Sequence, residues 1–420
     1  MNIIVVGAGI GGLAFALSAH RLGLSVRLYE SVARLLPLGV GINLQPNAVR
    51  ELTELGLGDT LAKIGIPTAE LAYYSKLGQR IWSEPRGVAA GYKWPQYSIH
   101  RGALQSGLLE AVRERLGPHA VTTGHHLHGF EPDGTSIRAR FVDRATGTAL
   151  ATVEADVLIG ADGIHSMVRK TLYPDEGLPK YGKWVLFRGA VESDPFLSGK
   201  TMVSVGTRDQ RVVAYPISRE ALDRGKALIN WVASLPMPTT GALPPEEWNR
   251  KVGKELFLPE FESWRFPWLD VAAMIEQTAD VYQFPFVDRE PIPRWSVGRV
   301  TLLGDAAHPM YPIGSQAGSQ AIIDARVLAA ALAAFEDPAE ALQRYEDTRM
   351  AAMNTLVVKN RELGAESVLQ IVEDRAPNGF SRLEDVISRQ ELEETAIGFK
   401  KLAGIDVEAV NNRTAYFGMT

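Results

Sequence analysis

The chain has 420 residues, 46% hydrophobic and 22% charged, with a formal net charge of −5, which is ordinary for a globular protein but long for one core, so two domains are expected. There is no basic surplus to draw in nucleic acid or an anionic membrane, and neither partner is expected. With no cysteine at all, disulfides, thiolate nucleophiles and cysteine zinc sites are excluded.

At the amino end, Asn2–Val6 reads as a buried strand, Gly12 to Leu22 as a helix stopped by Gly23, and "LSVRLYE" as a second strand ending on Glu30. The first strand leaves no room before it for a signal peptide. No apolar run approaches the ~20 residues of a membrane span, so a cytoplasmic protein is expected. "GAGIGG" places Gly7, Gly9 and Gly12 at G-x-G-x-x-G spacing between strand and helix. Gly7 permits the turn, Gly9 lets backbone approach a pyrophosphate, and Gly12 lets the helix pack on the strand. The helix N-terminus adds partial positive charge. Glu30 can accept hydrogen bonds from a free ribose diol and would repel a 2′-phosphate. The spacing alone also suits a ligand-free turn; with a ligand, it predicts NAD or FAD, not NADP.

Pro67 to Tyr97 carries turns and "WSEPRGVAAGYKWPQY", an excursion out of the first domain. A helix is predicted from about Arg101 to Leu116, then a hairpin from "TSIRARFVD" and "TGTALATVEA". "TGHHLHGF" holds His125, His126 and His128. On a strand only His126 and His128 share a face, and no carboxylate stands at ligand spacing, so no metal is expected. "DVLIGADGIHSMVRKTL" repeats the opening grammar of strand, Gly-rich turn and helix. From Trp184 to Pro285 the pattern is strand-rich and aromatic, which predicts a mainly antiparallel sheet. "GRVTLLGDAAHPMYPIGSQAGSQAIIDARVLAAAL" is again strand, turn and helix, with the helix after Pro312. Its Gly304-Asp305 pair ends a buried strand, where a bare carboxylate is costly and needs a partner. An NAD domain has no need of such a unit; a FAD domain needs polar groups there to hold the ribityl chain. The remainder is predicted helical, "SRQELEETAIGFKKLAGI" covering the core or a partner subunit.

With these residues in view, the chain resembles the para-hydroxybenzoate hydroxylase family of class A flavoprotein monooxygenases over roughly residues 1–360. "GAGIGG" is similar to the family's pyrophosphate fingerprint, "GADGIHSMVR" to its DG motif, "LLGDAAHPMYP" to its GD motif and "SIHRGALQ" to its Arg segment. Segments such as "WSEPRGV", "WPQYSIHRG" and "LINWV" are most similar to those of bacterial phenazine hydroxylases. The resemblance implies an α/β fold: a Rossmann-like FAD-binding domain interleaved with a mainly antiparallel β-sheet substrate domain, plus C-terminal helices. The implied division is 1–70, 100–178 and 291–365 for FAD binding, 71–99 and 179–290 for substrate, and 366–420 for the helical end. It implies noncovalent FAD held by Gly7, Gly9, Gly12, Glu30, Arg101, Asp162, Gly163, Gly304, Asp305, Pro312, Gly314 and Gly318.

NAD(P)H is implied as a transient co-substrate, since the single dinucleotide site is taken. O2 reacts with the reduced flavin, and the C4a-hydroperoxide hydroxylates an aromatic or heteroaromatic, carboxylated small molecule. The alternatives are an FAD oxidoreductase without oxygen insertion and a flavoprotein that binds a partner. A monomer or homodimer is expected. Pocket candidates are Arg188, Tyr215, Trp231, Phe284, Phe286, Met310, Tyr311 and Pro312, each aromatic being also a fair core residue. Pro312, Arg188 and Tyr215 are the catalytic candidates. Arg188 stands in an apolar strand and needs an anionic partner. His308 is expected to hold the GD turn. The family's Gly-x-Asn ending is replaced by Ala317 and Ser319, and Ala317 predicts a differently shaped loop.

Overall fold

The computed structural model describes residues 1–36, 39–236, 250–362 and 366–414. The first sheet is built on the strand–turn–helix grammar. From edge to edge it runs Ser296–Val297, Val300–Leu302, Val157–Gly160, Asn2–Val6, Ser25–Tyr29 and Val121–Thr122. All neighbours are parallel except the first pair. Such strands are covered on both faces, so they read as unbroken apolar runs: Ile3, Ile4, Val5 and Val6 are all buried. Their cover includes the helices Ile10–Arg21 and Ala317–Ala334, whose small faces (Ala14, Ser18, Ala321, Ala325) let them approach closely. By length and composition Ala317–Ala334 could cross a membrane, but 72% of it is buried inside the protein.

The second sheet has eight strands: Arg250–Val252, Val281–Asp288, Lys180–Ser193, Ala227–Pro236, Arg211–Pro216, Thr201–Gly206, Glu70–Tyr74 and Arg80–Pro85. It is antiparallel throughout except where Thr201–Gly206 meets Glu70–Tyr74. Apart from register shifts between Tyr181 and Val185 and between Tyr73 and Tyr74, side chains alternate between the two faces. Phe187, Val203, Val205, Val212, Ala214 and Trp231 point into one core with Phe257, Phe261 and the helix Val271–Gln277. Leu186, Arg188, Met202, Ser204, Arg211, Val213, Tyr215 and Val232 point the other way and wall a cavity. A small sheet of Gly41–Leu44, Gln96–His100 and Ile66–Thr68 joins the two large ones. The segment after Thr122 forms a third sheet of His126–Asp133, Ser136–Val142 and Val153–Ala155, so the predicted hairpin is part of a three-stranded meander. The C-terminal helices Ser367–Arg375 and Arg389–Leu402 follow the predicted pattern.

Candidate active site

The strand Asn2–Val6 ends on Gly7, whose φ of 104° belongs to the left-handed side that favours glycine. Helix Ile10–Arg21 starts at once with Gly9 as its cap and no side chain on its first free N–H groups. Those groups and the helix dipole form an anion site. The space a Cβ on Gly9 would enter is open, as a cofactor pyrophosphate requires. Glu30 stands beside this turn, its Oε2 accepting from Ala8 N at 2.8 Å and its Oε1 from Val32 N at 3.0 Å. It therefore braces the fingerprint, and a carboxylate retains lone pairs for a ribose diol.

The second unit adds Asp162 and Gly163. Asp162 Oδ2 accepts from Met167 N at 2.8 Å, while Oδ1 is buried without a partner. Burial pushes its carboxyl up to about 6, against the hydrogen bonds from Ser166 and Met167. Behind it, buried Arg169 donates to the carbonyls of Ala306 (3.1 Å), Ala307 (2.9 Å) and Glu290 (2.9 Å) and pairs with Glu176. One side chain of the DG segment thus clamps the GD turn.

In that turn Gly304 takes φ 61°, and Asp305 opens into the groove with no hydrogen bond from a described residue. The surrounding walls raise its pKa by thinning its hydration, against the pull of His308 and Arg101. His308 is buried; its Nε2 meets Asp324 at 2.5 Å, and Asp324 also binds Arg349 at 2.7 Å. It holds the turn, as expected, and does not face the cavity. Open Gly9, orphaned Asp162 Oδ1 and exposed Asp305, which takes no hydrogen bond from a described residue, fit a cofactor with a pyrophosphate and a polyhydroxyl chain. Asp305→Ala is expected to leave a folded chain with FAD affinity reduced about 10- to 100-fold, because a hydrogen bond to a charged group is worth roughly 1.5–3 kcal/mol. Unchanged affinity in a fluorescence titration would remove Asp305 from the cofactor site.

The loop after Pro312 links groove and cavity. Gly314 (φ 63°) and Ser315 (φ 54°) both take the left-handed conformation. Ala317 instead begins the helix, where alanine suits, and the non-glycine residue in the left-handed conformation here is Ser315. Buried Ser319 Oγ accepts from Gln45 N at 3.0 Å, and the Gln45 amide donates to Gly314 O at 3.3 Å. A serine thereby ties the loop to the segment after Gly41–Leu44.

The cavity has a volume of about 260 Å³, and Arg101, Pro312, Gly314 and Gly318 line the end toward the groove. Arg188 reaches in from the second sheet. One nitrogen donates to Gly41 O at 3.2 Å, the guanidinium lies 5.5 Å from the Phe284 ring centre, and Nε is buried without a partner. Burial lowers its pKa and neighbouring Tyr215 raises it; Tyr215 is itself pushed up to about 12 by burial, against Arg188. The phenol is therefore neutral, and Arg188 has no carboxylate partner among the described residues. Gly41 must be glycine, since a Cβ there would lie 2.6 Å from the Tyr215 ring.

Of the predicted pocket residues, Arg188, Tyr215, Phe286 and Pro312 line the cavity. Phe284 supports Arg188 from the side. Trp231 does not line it: it points to the opposite face and donates to Thr278 Oγ1 at 2.8 Å. Met310 belongs to the first core, and Tyr311 packs on Phe286 with ring centres 4.2 Å apart. Sequence reasoning missed Tyr73, Arg86, Ser204, Arg211 and Glu366. A signal existed for Arg211, which shares a strand face with Tyr215 two alternations away.

A family profile described as FAD binding domain matches residues 1–235 and 273–360. The chain is 46% identical to phenazine 1,6-dicarboxylic acid hydroxylase PhzS of Lysobacter antibioticus over 365 residues, covering 86% of this chain and 89% of that protein. It is 34% identical to 3-amino-4-hydroxybenzoate 2-monooxygenase PtnB3 of Streptomyces platensis, covering 91% and 94%. Among solved structures, Klebsiella pneumoniae HpxO complexed with FAD and uric acid aligns with a TM-score of 0.75 at 26% identity, covering 98% of this chain and 96% of that one.

Proposed function

Because this chain belongs to the FAD binding domain family and is an FAD-dependent aromatic hydroxylase, we propose that its substrate is a carboxylated aromatic or heteroaromatic ring bound in the cavity beside Pro312, with a carboxylate on Arg188. When bound, FAD supplies the redox chemistry, taking hydride from NAD(P)H and delivering one oxygen atom of O2 to the ring. Gly7, Gly9 and Gly12, with the first turn of helix Ile10–Arg21, would hold its pyrophosphate. Glu30, Asp162, Gly163, Gly304 and Asp305 would serve its polar chain, with Arg101 beside it. Gly314 and Gly318 would hold its ring through their backbone, with Pro312 beside it.

The chain's own work is binding, orientation and dryness. Arg188 fixes the acid end of the substrate, and protonated Tyr215 donates a hydrogen bond while steadying the guanidinium. Leu186, Val213, Val232 and Phe286 give the ring apolar walls that exclude water. The observation that carries this reading is Arg188, a buried cation without an acid partner among the described residues, facing the cavity at the cofactor end. With a fused-ring heteroaromatic carboxylate present, NAD(P)H oxidation and O2 uptake are expected to rise together and yield a product one oxygen atom heavier. NAD(P)H oxidation that no aromatic acid stimulates, with all O2 recovered as peroxide, would overturn it.

A further inference from the structure

Strand Gly41–Leu44 stands at the edge of the small sheet that joins the two large ones, with Gln96–His100 paired along its inner side. Its free side is held by side chains that come from opposite directions. Gly41 N donates to Asn230 Oδ1 at 2.6 Å, and Asn230 belongs to the second sheet, in Ala227–Pro236. Gln45 N donates to Ser319 Oγ at 3.0 Å, and Ser319 belongs to the helix Ala317–Ala334 behind the loop after Pro312. Residues four apart in an extended segment present their N–H groups to the same edge, about 13 Å from one to the other. One straight piece of backbone is therefore fastened to the substrate side at one end and to the cofactor side at the other.

Each end also touches a group that the reaction uses. Gly41 O accepts from Arg188 at 3.2 Å, so the second sheet grips this glycine by its carbonyl as well as its N–H. A Cβ at residue 41 would lie 2.6 Å from the Tyr215 ring and 2.8 Å from Asn230 Cβ, so bare backbone is what lets these side chains close on it. At the other end, Asn43 Nδ2 donates to Ser315 Oγ at 3.5 Å and the Gln45 amide to Gly314 O at 3.3 Å. Ile42 Cδ1 stands 2.7 Å from where a Cβ on Gly318 would be. Asn230 itself is fully buried, and its Nδ2 has no partner. An amide costs more there than an apolar side chain of its size, and the bond to Gly41 N is the contact that an apolar side chain could not make.

We infer that strand Gly41–Leu44 couples occupancy of Arg188 to the loop after Pro312, with Asn230 and Ser319 as the positioning residues at its two ends. This rests on the reading of Arg188 as the anchor of an aromatic acid and adds the element through which that anchor reaches the cofactor end. Without an acid, the guanidinium has the neutral partners Gly41 O and the Tyr215 phenol, and its Nε is unpartnered. A carboxylate on the Nε side fixes the guanidinium plane and, with it, the Gly41 carbonyl. Asn230 stops the Gly41 peptide from turning, so the constraint passes along the strand and is not lost in the freedom of a glycine. Ser319 passes it to the loop, where Ser315 holds its left-handed conformation. Such coupling needs one element that both sites bias, and this strand touches both.

The test follows hydrogen exchange in the FAD-loaded enzyme over residues 39–44 and 313–319, with and without phenazine-1-carboxylate, whose affinity is read from the flavin absorbance. In the parent, the acid is expected to slow exchange at least about fivefold in both segments, the lower end of coupling between linked sites. Asn230→Leu keeps the size of the side chain and removes the acceptor. It should bind the acid within about threefold of the parent, because Arg188 and Tyr215 remain, yet lose the slowing over 313–319. Ser319→Ala should lose the slowing over 313–319 and keep it over 39–44, an asymmetry that general destabilisation does not produce. Both variants should also lose the acceleration of flavin reduction by the acid. Slowing over 313–319 that survives both substitutions would mean direct contact with the acid and would overturn the coupling strand, as would a loss in step with acid affinity. If Asn230→Leu does not fold, the asymmetry in Ser319→Ala decides alone. If the acid binds the parent and protects 39–44 alone, the coupling falls and the anchor stands. If the acid changes neither the flavin spectrum nor exchange, the anchor falls and the coupling with it.

Discussion

Gly12→Ala is expected to emerge from purification without FAD and less stable than the parent. A Cβ at residue 12 would lie 2.1 Å from the carbonyl oxygen of Gly7 and 3.4 Å from Ala161 Cβ. The first contact is with backbone, so no rotamer can relieve it. Gly7 is fixed in turn, since its own Cβ position lies 2.4 Å from Ala161 O. Relief must part the helix from the strand, and the N–H groups aimed at the pyrophosphate go with it. Overpacking of this kind costs roughly 1–3 kcal/mol, a fall of several degrees in Tm for a domain of this size. Lost cofactor linkage lowers Tm further. Gly9→Ala is the control. Its Cβ would enter open space, so the FAD-free variant should melt like the FAD-free parent while binding FAD weakly. Gly12→Ala that retains a full complement of FAD, or Gly9→Ala that binds it normally, would refute this account of the fingerprint.

Arg188→Ala is expected to weaken binding of the aromatic acid about 10- to 100-fold, the cost of losing a buried charge-assisted contact, and to divert a larger fraction of NAD(P)H to hydrogen peroxide. The substitution removes the unpaired cation and takes the partner away from the Tyr215 phenol and the Gly41 carbonyl. It also leaves a void for water between Phe284 and the cavity. Both effects act where dryness and position matter most. Arg188→Lys should rescue only partly, because an ammonium cannot span Gly41 O and a carboxylate with the planar fork of a guanidinium. Stopped-flow reduction of the flavin by NAD(P)H, with and without the aromatic acid, checks the first link between substrate and reaction. The parent should be reduced faster with the acid present, and Arg188→Ala should lose that acceleration. Identical reduction rates in parent and variant, with unchanged peroxide yield, would dismiss Arg188 as the substrate anchor.

Much of this protein is decided by short-range pattern. The fingerprint needs only a buried strand, two close glycines and a helix start, all within a dozen residues, so Gly7, Gly9 and Gly12 are legible without any structure. The same holds for Asp162 and Asp305, each a carboxylate following an apolar strand, and for the helix Arg101–Leu116. Strand alternation likewise marks Arg188 and Tyr215 as unusual. Pattern could not decide which face of the second sheet meets the cofactor. Period-two alternation says which residues share a face, but both faces of this sheet are covered and both carry aromatics. Trp231 therefore looked like a pocket residue, yet it lies in the core behind. The far end of the cavity was hidden for a different reason. Tyr73 reaches it through the parallel pairing of Glu70–Tyr74 with Thr201–Gly206, Arg86 from the turn after the last strand of that sheet, and Glu366 from the start of a C-terminal helix. Those segments are far apart in the chain, and only tertiary packing sets which of their charges neutralise one another and which are left over to face a substrate.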